Sequence, residues 1–319
     1  MQTFLSCDWG TTNFRLRLID AATCTILSEV ATNEGIQSIY NNWISQEIPS
    51  ITRVAFHQSI IANALKNLEA QYDASLKNIP IVLSGMASSS IGMVELPYKP
   101  IPLSFENMNL EHVVIHATEN FNHPVLLISG IKSDDDVIRG EETKIAGCYN
   151  SNENEKHLFI IPGTHSKHVK TEGKNLIAFS TFMTGEMFHL LSTESILKAS
   201  IEAAKFDQQH YQAFAKGVIT GSTTNILHSL FTTRTNQLFN TYTKHENYFY
   251  LSGLLIGHEL KDSIHYTFDS IYLICNKTME PYYLAALQLL LPSKTIKIID
   301  SDVALIRGQL KIAKALNFF

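Results

Sequence analysis

The sequence is short of several features that would assign it to a broad class. Cysteine occurs four times, at Cys7, Cys24, Cys148 and Cys275, with no Cys-x-x-Cys pair. Such spacing builds neither a disulfide framework nor a zinc site, so reduced thiols are expected. Charged residues make up only 17%, with 25 Lys and Arg against 30 Asp and Glu and a net charge of -5. The basic residues form no cluster or stripe. Nucleic acid and anionic membrane are therefore excluded as main partners, because both require concentrated positive charge. The longest apolar run, Tyr282 to Pro292, is interrupted by Gln288 and falls well short of the roughly 20 residues that cross a bilayer. No basic segment precedes an apolar one at the N-terminus, and Asp8 follows within the first turn of chain. A cytoplasmic protein without a secretory signal is expected.

What is present is enough apolar residue, 45% of 319 positions, to bury one large or two medium cores. Thr3–Asp8 reads as a buried strand ending in the turn Trp9-Gly10-Thr11-Thr12-Asn13, and Phe14–Ile19 alternates, with Arg15 and Arg17 facing the other way. Thr25–Val30 would complete an antiparallel meander. Ile60–Tyr72 has helical spacing, Ile79–Leu83 and Val125–Ile128 are β-branched runs, and Asp134–Asp136 is expected to open a helix through Cys148. The polar stretch Asn150–Lys156 is the best candidate boundary, dividing domains 1–149 and 150–319. The pattern then restarts with a strand at His157–Ile161, a turn at Pro162–Lys167, and a strand from His168 with Gly173 in its hairpin. Met187–Leu197, Tyr211–Leu230 and Tyr282–Leu291 look helical, with strands at Ile271–Cys275 and Ile296–Ile299. Val303–Leu316 is a terminal amphipathic helix, free to pack back on the first half. Each half thus begins strand, Gly-Thr turn, strand, and the mixture implies α/β layers.

Several strings could carry chemistry. A glycine with hydroxyl residues in a strand-to-strand turn lets backbone amides and hydroxyls approach phosphate oxygens. Gly10-Thr11-Thr12 and Gly163-Thr164 both fit this, and each also fits a plain hairpin turn. No G-x-x-x-x-G-K-[ST] string occurs, so a nucleotide site here would not be a P-loop. Asp8 at a strand end could hold magnesium through its waters. His165 and His168 have a metal-like spacing, but further ligands are missing. Asp136-Val137-Ile138-Arg139-Gly140-Glu141-Glu142-Thr143 reads as solvated first-turn carboxylates or as the location of a base. Thr181-Phe182-Met183-Thr184-Gly185-Glu186 reads as a helix start capped by Thr184. The hydroxyl-rich loop from Ser84 to Tyr98 could line a sugar pocket or be only a loop.

Together these strings resemble the 2-keto-3-deoxy-galactonate kinase family, a branch of the actin/hexokinase/Hsp70-like superfamily, over nearly the whole chain. The resemblance implies an α/β fold of two ribonuclease-H-like lobes with a central cleft, and a kinase that phosphorylates the terminal hydroxyl of a 2-keto-3-deoxy sugar acid with ATP and Mg2+. It implies Asp8 as metal ligand and Glu142, an acid followed by Thr143, as catalytic base. Gly10, Thr11, Thr12 and Asn13 would hold the phosphates with Gly163, Thr164, His165, Ser166 and Lys167. Substrate contacts fall on Arg15, Gly85, Met86, Ser89, Ser90, Glu141, Thr184 and Glu186. A sugar-acid pocket is expected in the first domain and a nucleotide site in the second, and a homodimer is compatible with the sequence. At a helix N-terminus Glu142 is expected to be ionised and of ordinary basicity.

The chain departs from the family in three places. Ser90 and Met93 replace an Arg and a Trp, Glu194 replaces a His, and Cys275-Asn276-Lys277 stands where glycine follows a strand. A side chain there is expected to crowd the nucleotide. These departures leave open a kinase for another sugar or sugar acid on the same fold, or a non-catalytic ligand sensor with a degraded nucleotide site.

Overall fold

The structure, a computed structural model, describes residues 3–45, 51–149 and 155–319. The chain divides into two compact units. The first comprises Met1–Asn152, Lys174–Ala178 and Ser301–Phe319, and the second Glu153–Gly173 and Phe179–Asp300. Most of the polar stretch read as a boundary, residues 150–154, lies outside the described residues.

The first unit is built on β1 (Thr3–Trp9), β2 (Phe14–Asp20), β3 (Ile26–Thr32), β4 (Ile81–Gly85) and β5 (Val125–Ile128). Their spatial order is β3-β2-β1-β4-β5, with the short strand His112–Ile115 outermost. The first three strands form an antiparallel meander, while β4 and β5 run parallel to β1. Leu5, Cys7 and Trp9 alternate onto one face of β1, where Phe14 and Leu16 of β2 join them. Helices α1 (Ile36–Ile44) and α2 (Arg53–Tyr72) cover this face with residues such as Ile39, Ile61 and Leu65. Burial of such side chains contributes about 1.5–3 kcal/mol each. α1 was not evident in the sequence, and α2 begins a full two turns before Ile60.

Arg17 faces away from this core, as its alternation implied, yet it is buried. Helix α9 (Ser301–Ala315) covers that opposite face, and Asp302 lies 2.9 Å from Arg17 Nη2, with Glu29 bonded to Nε. Gln309 of α9 donates to the Cys7 carbonyl at 3.0 Å and to Ser84 Oγ at 2.9 Å. α9 also crosses α3 (Glu141–Cys148) so closely that a Cβ on Gly308 would lie 1.8 Å from the Thr143 carbonyl. Asp134–Asp136 do not open α3. They lie in the turn of a small hairpin, Ile131–Lys132 with Val137–Ile138, and the helix starts at Glu141. Glu141 and Glu142 are therefore the carboxylates in its first turn.

The second unit repeats the connectivity. β6 (Lys156–Ile161), β7 (Ser166–Glu172), β8 (Asn175–Phe182), β9 (Ser270–Cys275) and β10 (Thr295–Asp300) take the order β8-β7-β6-β9-β10. The β6–β7 pair is antiparallel, and β9 and β10 run parallel to β6. The hairpin end of β8 groups with the first unit, where Asn175 and Leu176 pair with Ser104 and Leu103. The helices are α4 (Thr184–Thr193), α5 (Gln208–Thr223), α6 (Ile226–Leu238), α7 (Lys244–Leu260) and α8 (Glu280–Leu290). The single helix read over Tyr211–Leu230 is two, because the Asn225 side chain accepts from the Leu227 and His228 amides and starts α6 afresh. α4 starts earlier than Met187 and ends at Thr193, with a 3-10 turn at Ile196–Ser200. Thr184 is its first helical residue and Met183 the cap, so Thr184 does not cap it. A three-strand meander followed by two parallel strands, twice over, is the ribonuclease-H-like arrangement of the actin-like ATPases.

Candidate active site

In the first unit, β1 ends where the Gly10 amide donates to the Asn13 carbonyl at 2.9 Å. The carbonyls of Gly10, Thr11 and Thr12 accept from Ile36, Gln37 and Gly35 at the start of α1. The Thr11 and Thr12 amides take no backbone partner among the described residues, and both residues are exposed. A Cβ on Gly10 would meet nothing nearer than the Asn13 carbonyl, at 3.6 Å. Protein packing therefore does not require glycine there, and the open space is room for a ligand. The half-buried Asp8 carboxylate has no hydrogen bond or ion pair among the described residues. That suits a group reserved for a metal's water shell.

Beside this turn, Trp9 pairs with Gly85 at the end of β4. Gly85 (φ +97°) in turn lies against Gly140 (φ +107°), whose added Cβ would stand 3.4 Å from the Gly85 Cα. The start of α3 is thus fixed next to the ends of β1 and β4. The Glu142 carboxylate accepts from the Gly140 amide at 2.8 and 3.0 Å and from Thr143 Oγ1 at 3.0 Å. Glu142 is buried, and desolvation, with the neighbouring Glu141 charge second, pushes its pKa up to about 7. The expected ordinary basicity is corrected: loss of water outweighs the three hydrogen bonds and the helix terminus. Glu141 is less buried, and its Oε2 accepts from the Arg139 amide at 3.1 Å.

A cavity of about 560 Å³ begins just past Gly85, lined by Met86, Ser89, Ser90, Tyr98 and Arg139 among others. It gathers three of the expected substrate residues. Arg15 is elsewhere, 3.7 Å from Asp302 through Nη1.

In the second unit, the turn after β6 mirrors the first. A Cβ on Gly163 would meet nothing nearer than the His165 carbonyl, at 3.8 Å. Gly185 in the first turn of α4 presses against this turn, and a Cβ there would lie 2.4 Å from the Gly163 carbonyl. The Glu186 amide donates to the Thr164 carbonyl at 3.0 Å, and its carboxylate lies 2.5 Å from His165 Nε2. Thr184 and Glu186 therefore belong to the second unit, with the Gly163-Thr164 turn. Ser166 and Lys167 belong to β7 and are buried, contrary to a role facing phosphate. Ser166 Oγ bonds Tyr283 OH at 2.9 Å, and Tyr283 donates to Glu259 at 2.7 Å. Lys167 Nζ donates to the His165 carbonyl at 3.0 Å. These bonds hold the turn from behind.

From Gly163 and Thr164 opens a cavity of about 430 Å³ whose walls include Phe188, Tyr248, Ser252, Met279 and Tyr282. These residues were not found in the sequence, although Tyr248, Ser252 and Leu255 follow helical spacing on one face of α7. The side chains expected to crowd a nucleotide after β9 are not in the wall of this cavity. Asn276 Oδ1 turns back to accept from the Thr278 and Met279 amides at 3.1 and 3.0 Å, and neither Asn276 nor Lys277 lines the cavity.

Two ribonuclease-H-like units, each with an open Gly-Thr turn, define an actin/hexokinase-type phosphotransferase. Comparison with known proteins specifies the branch. The family model for 2-keto-3-deoxy-galactonokinase matches residues 8–312, and the chain belongs to that family. It is 26% identical to the 2-dehydro-3-deoxygalactonokinase of Escherichia coli (strain K12), over 98% of both chains. A crystal structure of a protein described as a 2-dehydro-3-deoxygalactonokinase, from Sinorhizobium meliloti, superposes with a TM-score of 0.78 at 25% identity, covering 98% of this chain and 99% of that one. A reductive activator for a corrinoid, iron-sulfur protein shares the fold at a TM-score of 0.50 and 14% identity, covering 99% of this chain and 61% of that one.

Proposed function

We propose that the chain transfers the γ-phosphoryl group of ATP to the terminal hydroxyl of 2-dehydro-3-deoxy-galactonate, giving its 6-phosphate. Family membership makes it a kinase that uses a nucleotide. The identity of the nucleotide and acceptor, the use of magnesium and a cytoplasmic setting belong to the proposal. Among the described residues, no helix is long and apolar enough to cross a membrane.

The single observation that supports this most is the repeated turn. Gly10 and Gly163 stand at equivalent places in two like units, and neither glycine is required by its protein neighbours. Amides of Thr11, Thr12 and Thr164 would bind the phosphates, with His165 donating to a phosphate oxygen. Magnesium carried by the phosphates would neutralise the charge developing on them, with Asp8 reaching its waters. Adenine would lie between Tyr248 and Tyr282, where stacking contributes about 1–3 kcal/mol. The acceptor would occupy the cavity at Met86, Ser89 and Ser90. Glu142 would take the proton of the attacking hydroxyl, its pKa of about 7 placing it near the pH of use. Phosphoryl transfer is mostly positioning and electrostatics, so these residues suffice without a covalent intermediate.

The test is a screen of 2-keto-3-deoxy sugar acids and their aldonate parents, with ATP consumption and the phosphorylated product as readouts. 2-Dehydro-3-deoxy-galactonate should be turned over with the highest kcat/KM. ATP consumption with none of these acids would refute the proposal.

A further inference from the structure

The cavity after Gly85 holds a cation whose task nothing above assigns. Arg139 Nη1 donates to the Ser88 carbonyl and to Ser88 Oγ, each at 2.5 Å. Its guanidinium lies over the Tyr98 ring, 4.1 Å from the centroid. These contacts fix the head group in the cavity wall without neutralising it, since no carboxylate pairs with it among the described residues. Nε is buried and Nη2 is not, and neither has a hydrogen-bond partner among the described residues. A buried orphan donor on a charged group costs more than about 1–3 kcal/mol if it stays unsatisfied. Glu95, the other charged residue lining the cavity, is exposed at its rim and makes no ion pair with Arg139.

We infer that Arg139 is the substrate-binding residue that recognises the carboxylate of the acceptor. The inference rests on the reading above that the acceptor is a sugar acid. With Nη1 held by Ser88 and Nε buried, Nη2 is the donor left open to the cavity, and a carboxylate oxygen there makes a charge-assisted hydrogen bond. Such a contact supplies the missing counter-charge. Arg139 lies three residues before Glu142, so one short segment carries both the group that grips one end of the acceptor and the group that deprotonates the other. Tyr98 and Ser88 serve as positioning residues for the guanidinium.

The test compares wild type, Arg139→Gln and Arg139→Lys with the sugar acid and with its neutral carboxamide. For Arg139→Gln, KM for the acid should rise about 10- to 100-fold, the loss of a charged hydrogen-bonded pair, while kcat stays within about threefold. KM for the carboxamide should be nearly unchanged, so that discrimination between acid and amide collapses. Arg139→Lys should recover part of the preference, and ATP affinity measured by calorimetry should be the same in all three. Equal preference for the acid in wild type and Arg139→Gln would overturn the inference, as would parallel losses on acid and amide, which mark a merely structural residue. If wild type turns over no 2-keto-3-deoxy acid, the functional proposal fails separately. Arg139 is then judged by calorimetric binding of a hexonate against its hexonamide. A preference for the hexonate that Arg139→Gln abolishes sustains the carboxylate site, and no preference contradicts it.

Discussion

The loop after the fourth strand carries a cavity in both units, and both cavities are largely apolar, yet they differ in the groups set into their walls. After β4 in the first unit come Met86 to Tyr98, with serine hydroxyls and the Arg139 guanidinium in the wall. After β9 in the second come Thr278 and Met279, and the walls are aromatic, from Phe188, Tyr248 and Tyr282. Connectivity fixes where a strand end opens; side chains then decide what enters. An aromatic-walled slot suits a nucleobase, and a slot with serine hydroxyls and a fixed cation in its wall suits an acid. The turns after the first strands show the reverse pattern and stay alike, since both present open glycines, as a shared duty toward phosphate would require.

The largest effect should fall on the group that the first unit alone possesses. Glu142→Gln keeps shape and removes basicity, and kcat should drop roughly 10²–10⁴-fold with little change in KM. Glu141→Gln, measured alongside at saturating substrate, should cost far less, which tests the assignment between adjacent carboxylates. A smaller effect tests the likeness of the turns. Gly163→Ala adds a methyl that meets no protein atom closer than 3.8 Å. Stability should therefore change by less than about 0.5 kcal/mol in denaturant titrations, while ATP affinity falls about 10- to 100-fold through lost amide–phosphate bonds. Gly185→Ala, by contrast, forces a contact at 2.4 Å with the Gly163 carbonyl and should lower stability as well. The smallest effect tests the aromatic slot. Tyr282→Ala should weaken ATP by about tenfold in calorimetry and leave KM for the acid unchanged. A change in the acid's KM instead would dissolve the division of labour between the cavities.

Much of this was legible in the residues. The strand, Gly-Thr turn, strand pattern at Thr3–Ile19 and its return at His157 are local, and local periodicity carried them. The start of α3 was misjudged because Asp134–Asp136 satisfy a helix-dipole rule that Glu141 and Glu142 satisfy better, six residues on. The aromatic cavity of the second unit was invisible because Phe188, Tyr248 and Tyr282 come from three helices far apart in the chain. The place of the Asn276 side chain was misjudged for a similar reason: it turns back onto nearby backbone amides, which residue identity alone does not reveal. The basicity of Glu142 was misread because burial, which comes from tertiary packing, outweighs the helix terminus.

That basicity is the point on which the chemistry turns, and the pH profile measures it. A carboxyl raised from 4.5 to about 7 is protonated, and useless as a base, at pH 5.5. The same shift makes the folded state bind more protons than the unfolded one between those values. The stability contribution of Glu142 is therefore lost as pH rises from about 4.5 to about 7, while activity climbs over the upper part of that range. The decisive measurement is kcat against pH at saturating ATP, magnesium and acid for wild type, Glu142→Asp and Glu142→Gln. The expected result is an acid limb near 7 in wild type, displaced in Glu142→Asp and absent from the residual rate of Glu142→Gln. An unchanged limb in all three variants, with Glu142→Gln within about threefold of wild type, would contradict Glu142 as the base.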